Sequence, residues 1–302
     1  MLIKRGIMKT FLLALFLLLA VFATAETLNP LPDSMTVLKP YTTFDYPEID
    51  ESSAVIKSRL WDNVYWTLND SGDEARIFPF NKDGKVWRAK WYKEEAGIYI
   101  PDAVNADWED MTTDDKGNLY IAAFGNNDNF RRDLAVYVIK EPFPQTTSQT
   151  RVFKTINFYY PEQTSFPANP NNFDSEALFW AKEKLYLLTK HRADDKTKLY
   201  RFDSGKPHFD NPLNQIGAFN IGGMVTSAEA NDDGTKLAVL TYNSVWLFES
   251  ETDDYFAGKK SWLPIGAKQC EAICFESDDI LMITNEQAEI FLLNTTDLIT
   301  VE

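Results

Sequence analysis

Short apolar segments that alternate with polar turns run through most of the chain. Residues 64–68, 119–124 and 185–189 are rich in β-branched and aromatic side chains, and a cluster of turn-forming residues borders each segment. No stretch after residue 25 keeps the 3.6-residue period of an amphipathic helix for longer than a turn. The pattern therefore predicts an all-β protein built from many short strands.

A short acidic motif followed by two strands recurs along the chain. Four copies carry Glu51, Glu109, Glu176 and Glu271, and a fifth carries Ser227 in the same place. Four strands per unit, with the motif at each start, are typical of a β-propeller of four-stranded blades. We predict five blades, with the strand at residues 35–44 completing the last blade and closing the ring.

Two other folds compete with that prediction. The interval from the second motif to the third is long enough to hide a blade without the motif, so six blades is the alternative count. A β-sandwich would also be all-β, but it gives no reason for a glutamate at the start of each unit.

The N-terminus has the pattern of a secretory signal peptide over residues 1–25. Basic residues Lys4, Arg5 and Lys9 precede an apolar run over 11–22, and a small-x-small site ends at Ala25. The alternative is a membrane anchor, but the run is shorter than the about 20 residues that span a bilayer. We expect cleavage after Ala25, a secreted or periplasmic protein with no membrane association, and one propeller domain over residues 26–302.

The net charge argues against a nucleic-acid ligand, and the cysteine spacing argues against a disulfide. The formal net charge is −15, which argues against nucleic acid, whose phosphates attract Lys and Arg. Cys270 and Cys274 lie on one predicted strand, roughly 13 Å apart at about 3.3 Å per residue. A disulfide needs less than about 7 Å, so both are predicted to be free, buried thiols.

In a propeller blade, the start of the first strand and the end of the second strand lie at the same mouth of the central channel. The polar residues at those places are therefore predicted to form one ring, although they are far apart in sequence. The predicted ligand-binding residues are Glu51, Asp70, Glu109, Asn126, Asn127, Glu176, His191, Tyr242, Glu271 and Glu286.

Carboxylate and amide oxygens suit a hard cation such as Ca²⁺ better than zinc or copper. The predicted metal ligands are Glu51, Asp70, Glu109, Asn126, Glu176 and Glu271. A second interpretation is purely structural: the glutamates could accept backbone N–H groups of the neighbouring blade and hold the blades together. A third, Ser71 with His191 as its base, lacks a nucleophile-elbow motif.

Several motifs in fixed order resemble a group of secreted bacterial β-propeller proteins of unassigned function. The motifs cover nearly the whole chain after residue 25: Asn69-Asp70-Ser71-Gly72, Asp107-Trp108-Glu109-Asp110, Gly125-Asn126-Asn127, Ser175-Glu176-Ala177-Leu178, Asp233-Gly234, Leu240-Thr241-Tyr242 and Glu271-Ala272-Ile273. This resemblance implies the fold and export but no reaction.

A more distant resemblance is to the calcium-dependent propeller hydrolases: regucalcin- and gluconolactonase-like proteins, strictosidine-synthase-like proteins and the esterase-like phytase. It implies a metal held at the channel by acidic and Asn side chains. We expect an exported monomer that binds a small-molecule or protein ligand at the acidic mouth, with Ca²⁺ as the candidate cofactor. The alternative is a metal-assisted hydrolase of an ester, lactone or phosphoester.

Overall fold

The computed structural model describes residues 35–91 and 95–301. The predicted signal peptide and its cleavage site lie outside the described residues. In the described part, regular structure consists of strands and two 3₁₀ turns, Tyr255–Ala257 and Thr295–Asp297, so the all-β prediction is confirmed. No helix within these residues has the length and apolarity needed to cross a membrane.

The strands form four sheets, of six, eight, four and four strands, and their antiparallel pairing divides the described strands into five successive four-stranded units. The first unit contains β3 (Ser52–Lys57), β4 (Tyr65–Asn69), β5 (Arg76–Phe80) and β6 (Ile98–Tyr99); the second β7 (Met111–Thr113), β8 (Asn118–Ala123), β9 (Ala135–Lys140) and β10 (Val152–Tyr159); the third β11 (Asp174–Ala181), β12 (Lys184–Lys190), β13 (Lys196–Phe202) and β14 (Asn211–Asn220); the fourth β15 (Val225–Ala230), β16 (Lys236–Thr241), β17 (Ser244–Glu249) and β18 (Lys259–Gly266); and the fifth β19 (Cys270–Ser277), β20 (Ile280–Asn285), β21 (Glu289–Asn294) and β2 (Thr42–Thr43).

Two further short strands lie at the edge of the fourth unit. β1 (Thr36–Val37) pairs with β18 in parallel, and β22 (Ile299–Val301) pairs with β18 antiparallel. The single strand predicted over residues 35–44 is therefore two strands in different sheets. Pro40 lies between them, has no N–H to donate to a ladder, and interrupts the pairing.

The fourth strand of the first unit differs from the prediction. The sequence of residues 85–91, with its Val and Trp side chains, predicts a fourth strand there, but these residues make only a bridge from Val86 to Phe80, and β6 pairs with β5 instead. Pro79 accounts for the difference. Its carbonyl accepts from the Trp87 N–H at 2.8 Å, but Pro79 has no N–H with which to continue a ladder on that side.

The first strands of the units pack against one another. β3 contacts β7, β7 contacts β11, β11 contacts β15, β15 contacts β19, and β19 contacts β3. The hydrophobic core lies between neighbouring units rather than in one central mass: one cluster joins units two and three, another units three and four, and another units four and five. β10 and β14 also pair in parallel, which joins units two and three at their outer edge.

The cysteine prediction is confirmed, because Cys270 and Cys274 are both buried free thiols. Trp108 precedes Glu109 in the repeat motif, and this position predicts a place near the channel mouth. Its ring is fully buried, packs near Tyr137 and donates from Nε1 to the Val104 carbonyl oxygen at 3.0 Å. Trp108 is therefore a packing residue of the core.

Candidate functional site

The strand register identifies the equivalent positions at the start of each unit. The β11–β12 ladder skips Glu176, and the β19–β20 ladder skips Glu271. Such a β-bulge leaves the extra residue unpaired and redirects its side chain. Glu109 lies at the corresponding place: its N–H donates to the Ala122 carbonyl oxygen, and the Ala122 N–H donates to the Asp110 carbonyl oxygen.

In units one and four, the unpaired bulge residue is not the residue that the sequence repeat predicted. The β3–β4 ladder skips Ser53, two residues after Glu51, and the β15–β16 ladder skips Thr226, one residue before Ser227. The acidic residue of the repeat is therefore present in three units and replaced by a hydroxyl residue in two. Sequence spacing missed this because the bulge is defined by pairing.

First-strand starts and second-strand ends do meet, as the pairs Ser52–Asn69, Asp174–Lys190 and Cys270–Asn285 show. The residues that gather around this end, which we call the acidic cluster, are Asp70, Asp107, Glu109, Asp174, Glu176 and Glu271.

Three carboxyl groups of the cluster lie close together. One oxygen from each of Asp70, Asp107 and Glu109 falls within 4.8 Å of the others. Glu109 is 4 % exposed, and among the described residues no donor hydrogen-bonds to its carboxylate. Gly125 makes the approach feasible, since a Cβ there would overlap with Glu109 Oε1 and Asp107 Oδ2.

This crowding changes the acidity of the three groups. Burial, followed by repulsion from Glu176 and Asp70, raises the pKa of Glu109 well above its ordinary value. Burial raises the pKa of Asp70 to about 6, and it also raises the pKa of Asp107. Each group therefore takes up a proton at a higher pH than an ordinary carboxyl group, and a bound cation would oppose this change.

Lys190 neutralises a second part of the cluster. Its Nζ lies 2.7 Å from Glu176 Oε1 and donates to the Tyr242 hydroxyl at 2.9 Å. Burial raises the pKa of Glu176 to about 8 even with Lys190 beside it. Burial likewise raises the pKa of Glu271 to about 7, against the opposing effects of Lys190 and of a hydrogen bond from Tyr242.

Arg192 neutralises Asp174, a residue that the predicted ligand set omitted. The Arg192 Nη2 atom lies 2.9 Å from Asp174 Oδ2 and also donates to the side-chain oxygen of the exposed Asn127. The Asn126 side chain is already occupied by the loop: its amide oxygen accepts from the Arg131 N–H at 2.9 Å, and its Nδ2 donates to the Phe173 carbonyl oxygen.

The remaining predicted residues lie at the edge of the cluster or apart from it. Glu51 is exposed, and the Glu286 carboxylate accepts from Gln269. His191 is buried, and its Nδ1 lies 2.7 Å from Asp194 Oδ1. No hydrogen bond joins His191 to Ser71 among the described residues, so the geometry gives no support to a Ser–His pair.

Asp110, rather than a repeat glutamate, accepts backbone N–H groups of neighbouring units and holds the units together. It is 1 % exposed, and its Oδ2 accepts from the Leu178 N–H at 3.0 Å, the Ser227 hydroxyl at 3.2 Å and the Ala228 N–H at 3.5 Å. These donors belong to β11 and β15, so one carboxyl group joins three units. Glu109, its neighbour in sequence, is left available to the cluster.

The sequence places Asp107 and Asp174 at strand starts, and this signal would have been enough to add them to the predicted ligand set, which omitted both. Each lies two residues before a repeat glutamate, in Asp107-Trp108-Glu109 and Asp174-Ser175-Glu176. The role of Asp110 carried no such signal, because its partners come from other units.

The chain matches no protein-family model and no curated protein.

Proposed function

We propose that this protein is a five-bladed β-propeller that binds a divalent cation of the Ca²⁺ type at its acidic channel mouth and, through that cation, a ligand. The closed sequence of contacts between first strands supports the propeller. Five four-stranded units, the last completed by β2, support five blades over six. The apolar run before Ala25 supports export, and we expect a monomer.

The observation that carries the cation proposal is the group formed by Asp70, Asp107 and Glu109. Two oxygens on one Ca²⁺ ion lie at most about 4.8 Å apart, twice a bond of about 2.4 Å. The three carboxylate oxygens meet that limit without rearrangement. Lys190 and Arg192 are ion-paired to Glu176 and Asp174, so they leave these three groups for the cation.

Of the ligand set predicted from sequence, Asp70 and Glu109 are retained at the centre of the proposed site, and Asp107 joins them. Glu176 and Glu271 lie around it with Lys190 and Tyr242. A cavity of about 260 Å³ adjoins the group and is lined by Asp107, Asn127, Phe130 and others. This is where a ligand could contact the cation.

A second candidate function is metal-assisted hydrolysis. Asp107 belongs both to the carboxylate group and to the lining of the cavity, and this favours hydrolysis. A carbonyl or phosphoryl oxygen bound in the cavity would lie next to the cation, which supplies Lewis acidity. Hydrolysis of ester, lactone and phosphoester substrates that is abolished by EDTA and by Glu109→Gln would support it. Calcium binding without turnover would leave the binding function alone.

The test is calorimetric titration with Ca²⁺, together with melting in Ca²⁺ and in EDTA. A ligand present at 100 times its Kd stabilises the folded state by about 2.7 kcal/mol, which is a measurable shift in Tm. Glu109→Gln and Asp107→Asn should remain folded in EDTA and lose the Ca²⁺ shift. Asp210→Asn, an exposed acid in a loop, is the matched control and should keep it. An equal shift in all four proteins would refute the site.

A further inference from the structure

A larger cavity lies at the opposite end of the first strands. Its volume is about 730 Å³, within the range of small-molecule sites. The wall is formed by the ends of β3, β15 and β19 and by the turns that follow them. The acidic cluster lies at the other end of the first strands, around the starts of β7, β11 and β19, so the two regions are separate.

One wall residue is a buried acid with an unused oxygen. Glu229 is 3 % exposed, and its Oε2 accepts from the Thr112 hydroxyl at 3.0 Å. Its Oε1 is buried and has no hydrogen-bond partner among residues 35–91 and 95–301. A buried polar atom without a partner is unfavourable, so a donor that reached Oε1 would be bound.

The hydrogen bonds and ion pairs found for the basic groups of the wall go to residues other than Glu229. Arg59 Nε lies 3.3 Å from Asp232 Oδ1, and the Asp232 side chain is 91 % exposed; the Arg59 charge also opposes the rise that burial causes in the pKa of Glu229, but no hydrogen bond joins the two among the described residues. Lys57 donates to the Glu276 carbonyl oxygen. The wall as a whole is acidic: Asp115, Glu229, Asp232, Asp233, Glu276 and Asp278 line it, against Lys57 and Arg59.

We propose that this cavity binds a small organic cation whose primary ammonium group donates to Glu229 Oε1. The excess of acids favours a cation over an anion. An ammonium ion fits better than a metal, since within the described residues the one carboxylate set at metal-binding distances is Asp70, Asp107 and Glu109, at the other end of the strands. The proposal is independent of the calcium site.

The test uses 1,4-diaminobutane as the probe and 1-butanol as the uncharged control, in calorimetry and thermal melting. Excess Ca²⁺ is present so that the acidic cluster is occupied. The diamine should bind the wild-type protein and raise its Tm, and the alcohol should do neither. Glu229→Gln keeps the oxygen that faces Thr112, replaces the unpartnered oxygen by an NH₂ group that cannot accept from an ammonium ion, and should weaken binding by at least about tenfold.

Asp115→Asn is the matched control, because it removes a charge from an exposed wall position and should change affinity by less than about threefold. Glu229→Asp, which withdraws the carboxylate by one methylene, replaces the Gln variant if that variant does not fold. Equal diamine affinity in the wild-type and Glu229 variants would overturn the proposal. So would binding that occurs without Ca²⁺ and vanishes in its excess, because that places the amine at the acidic cluster.

Discussion

Replacing Asp110 tests whether one buried carboxyl group holds three units together. Asp110→Ala removes the acceptor of the Leu178 N–H, the Ser227 hydroxyl and the Ala228 N–H, all from other units. A buried donor left without an acceptor costs about 1–3 kcal/mol. The carboxyl group is itself costly to bury, which offsets part of the sum. We expect a loss of about 3–5 kcal/mol, a large part of a domain stability of about 5–15 kcal/mol.

Asp110→Asn separates this role from charge. The amide keeps one oxygen, which can stay with the three donors from β11 and β15. Its NH₂ group then faces the Met111 N–H, which in the wild-type protein donates to Asp110 Oδ1 at 2.8 Å. One bond is therefore lost, at about 1–2 kcal/mol. The assay is urea unfolding followed by fluorescence of the 8 tryptophans, with Asp210→Ala as an exposed control.

The reasoning fails if Asp110→Ala destabilises the protein by less than about 1 kcal/mol. It also fails if the Asn variant loses as much free energy of unfolding as the Ala variant. In that case the charge, rather than the shared acceptor, would be what stabilises the contact between units.

Two further predictions concern the acidic cluster. In EDTA, the free energy of unfolding should fall as the pH rises from 5 to 7, by up to about 1.4 kcal/mol per pH unit for each group. The sign follows because the unfolded carboxyls ionise near pH 4, whereas the folded state keeps Asp70 protonated up to its pKa of about 6 and Glu271 up to its pKa of about 7. Ca²⁺ should reduce this fall, and a flat profile in EDTA, measured by urea unfolding, would contradict it. Gly125→Ala should abolish the Ca²⁺ shift in Tm, because the new Cβ displaces Glu109 and Asp107; retention of the full shift would show that these carboxylates do not hold the ion.

The pairing of distant residues followed from the sequence once the repeat was recognised. Alternating apolar segments and turns predict antiparallel strands, and antiparallel pairing brings a first-strand start to a second-strand end, as in Asp174 with Lys190. The exact repeat position did not follow. Ser53 and Thr226 occupy it because of bulges, and a bulge is a property of two paired strands.

The different roles of the neighbouring residues Glu109 and Asp110 could not be predicted from the sequence either. Asp110 binds donors from other units, and Glu109 faces acids from other units; nothing in the order Trp108-Glu109-Asp110-Met111 distinguishes them. Likewise, Pro79 predicts a defect in a ladder, but which strand would replace residues 85–91 depended on where β6 could reach β5.

By itself, the sequence determined that the chain is all-β, that its units repeat, that its cysteines stay apart, and which acidic residues lie at strand starts. These follow from local periodicity and spacing, which act over a few residues. The tertiary structure decided which carboxyls are paired, which are free and which hold the units together. Those outcomes depend on the neighbours that each side chain meets across units, because burial and nearby charge, rather than residue type, decide whether a carboxylate such as Glu109 is neutralised by a base, a proton or a cation.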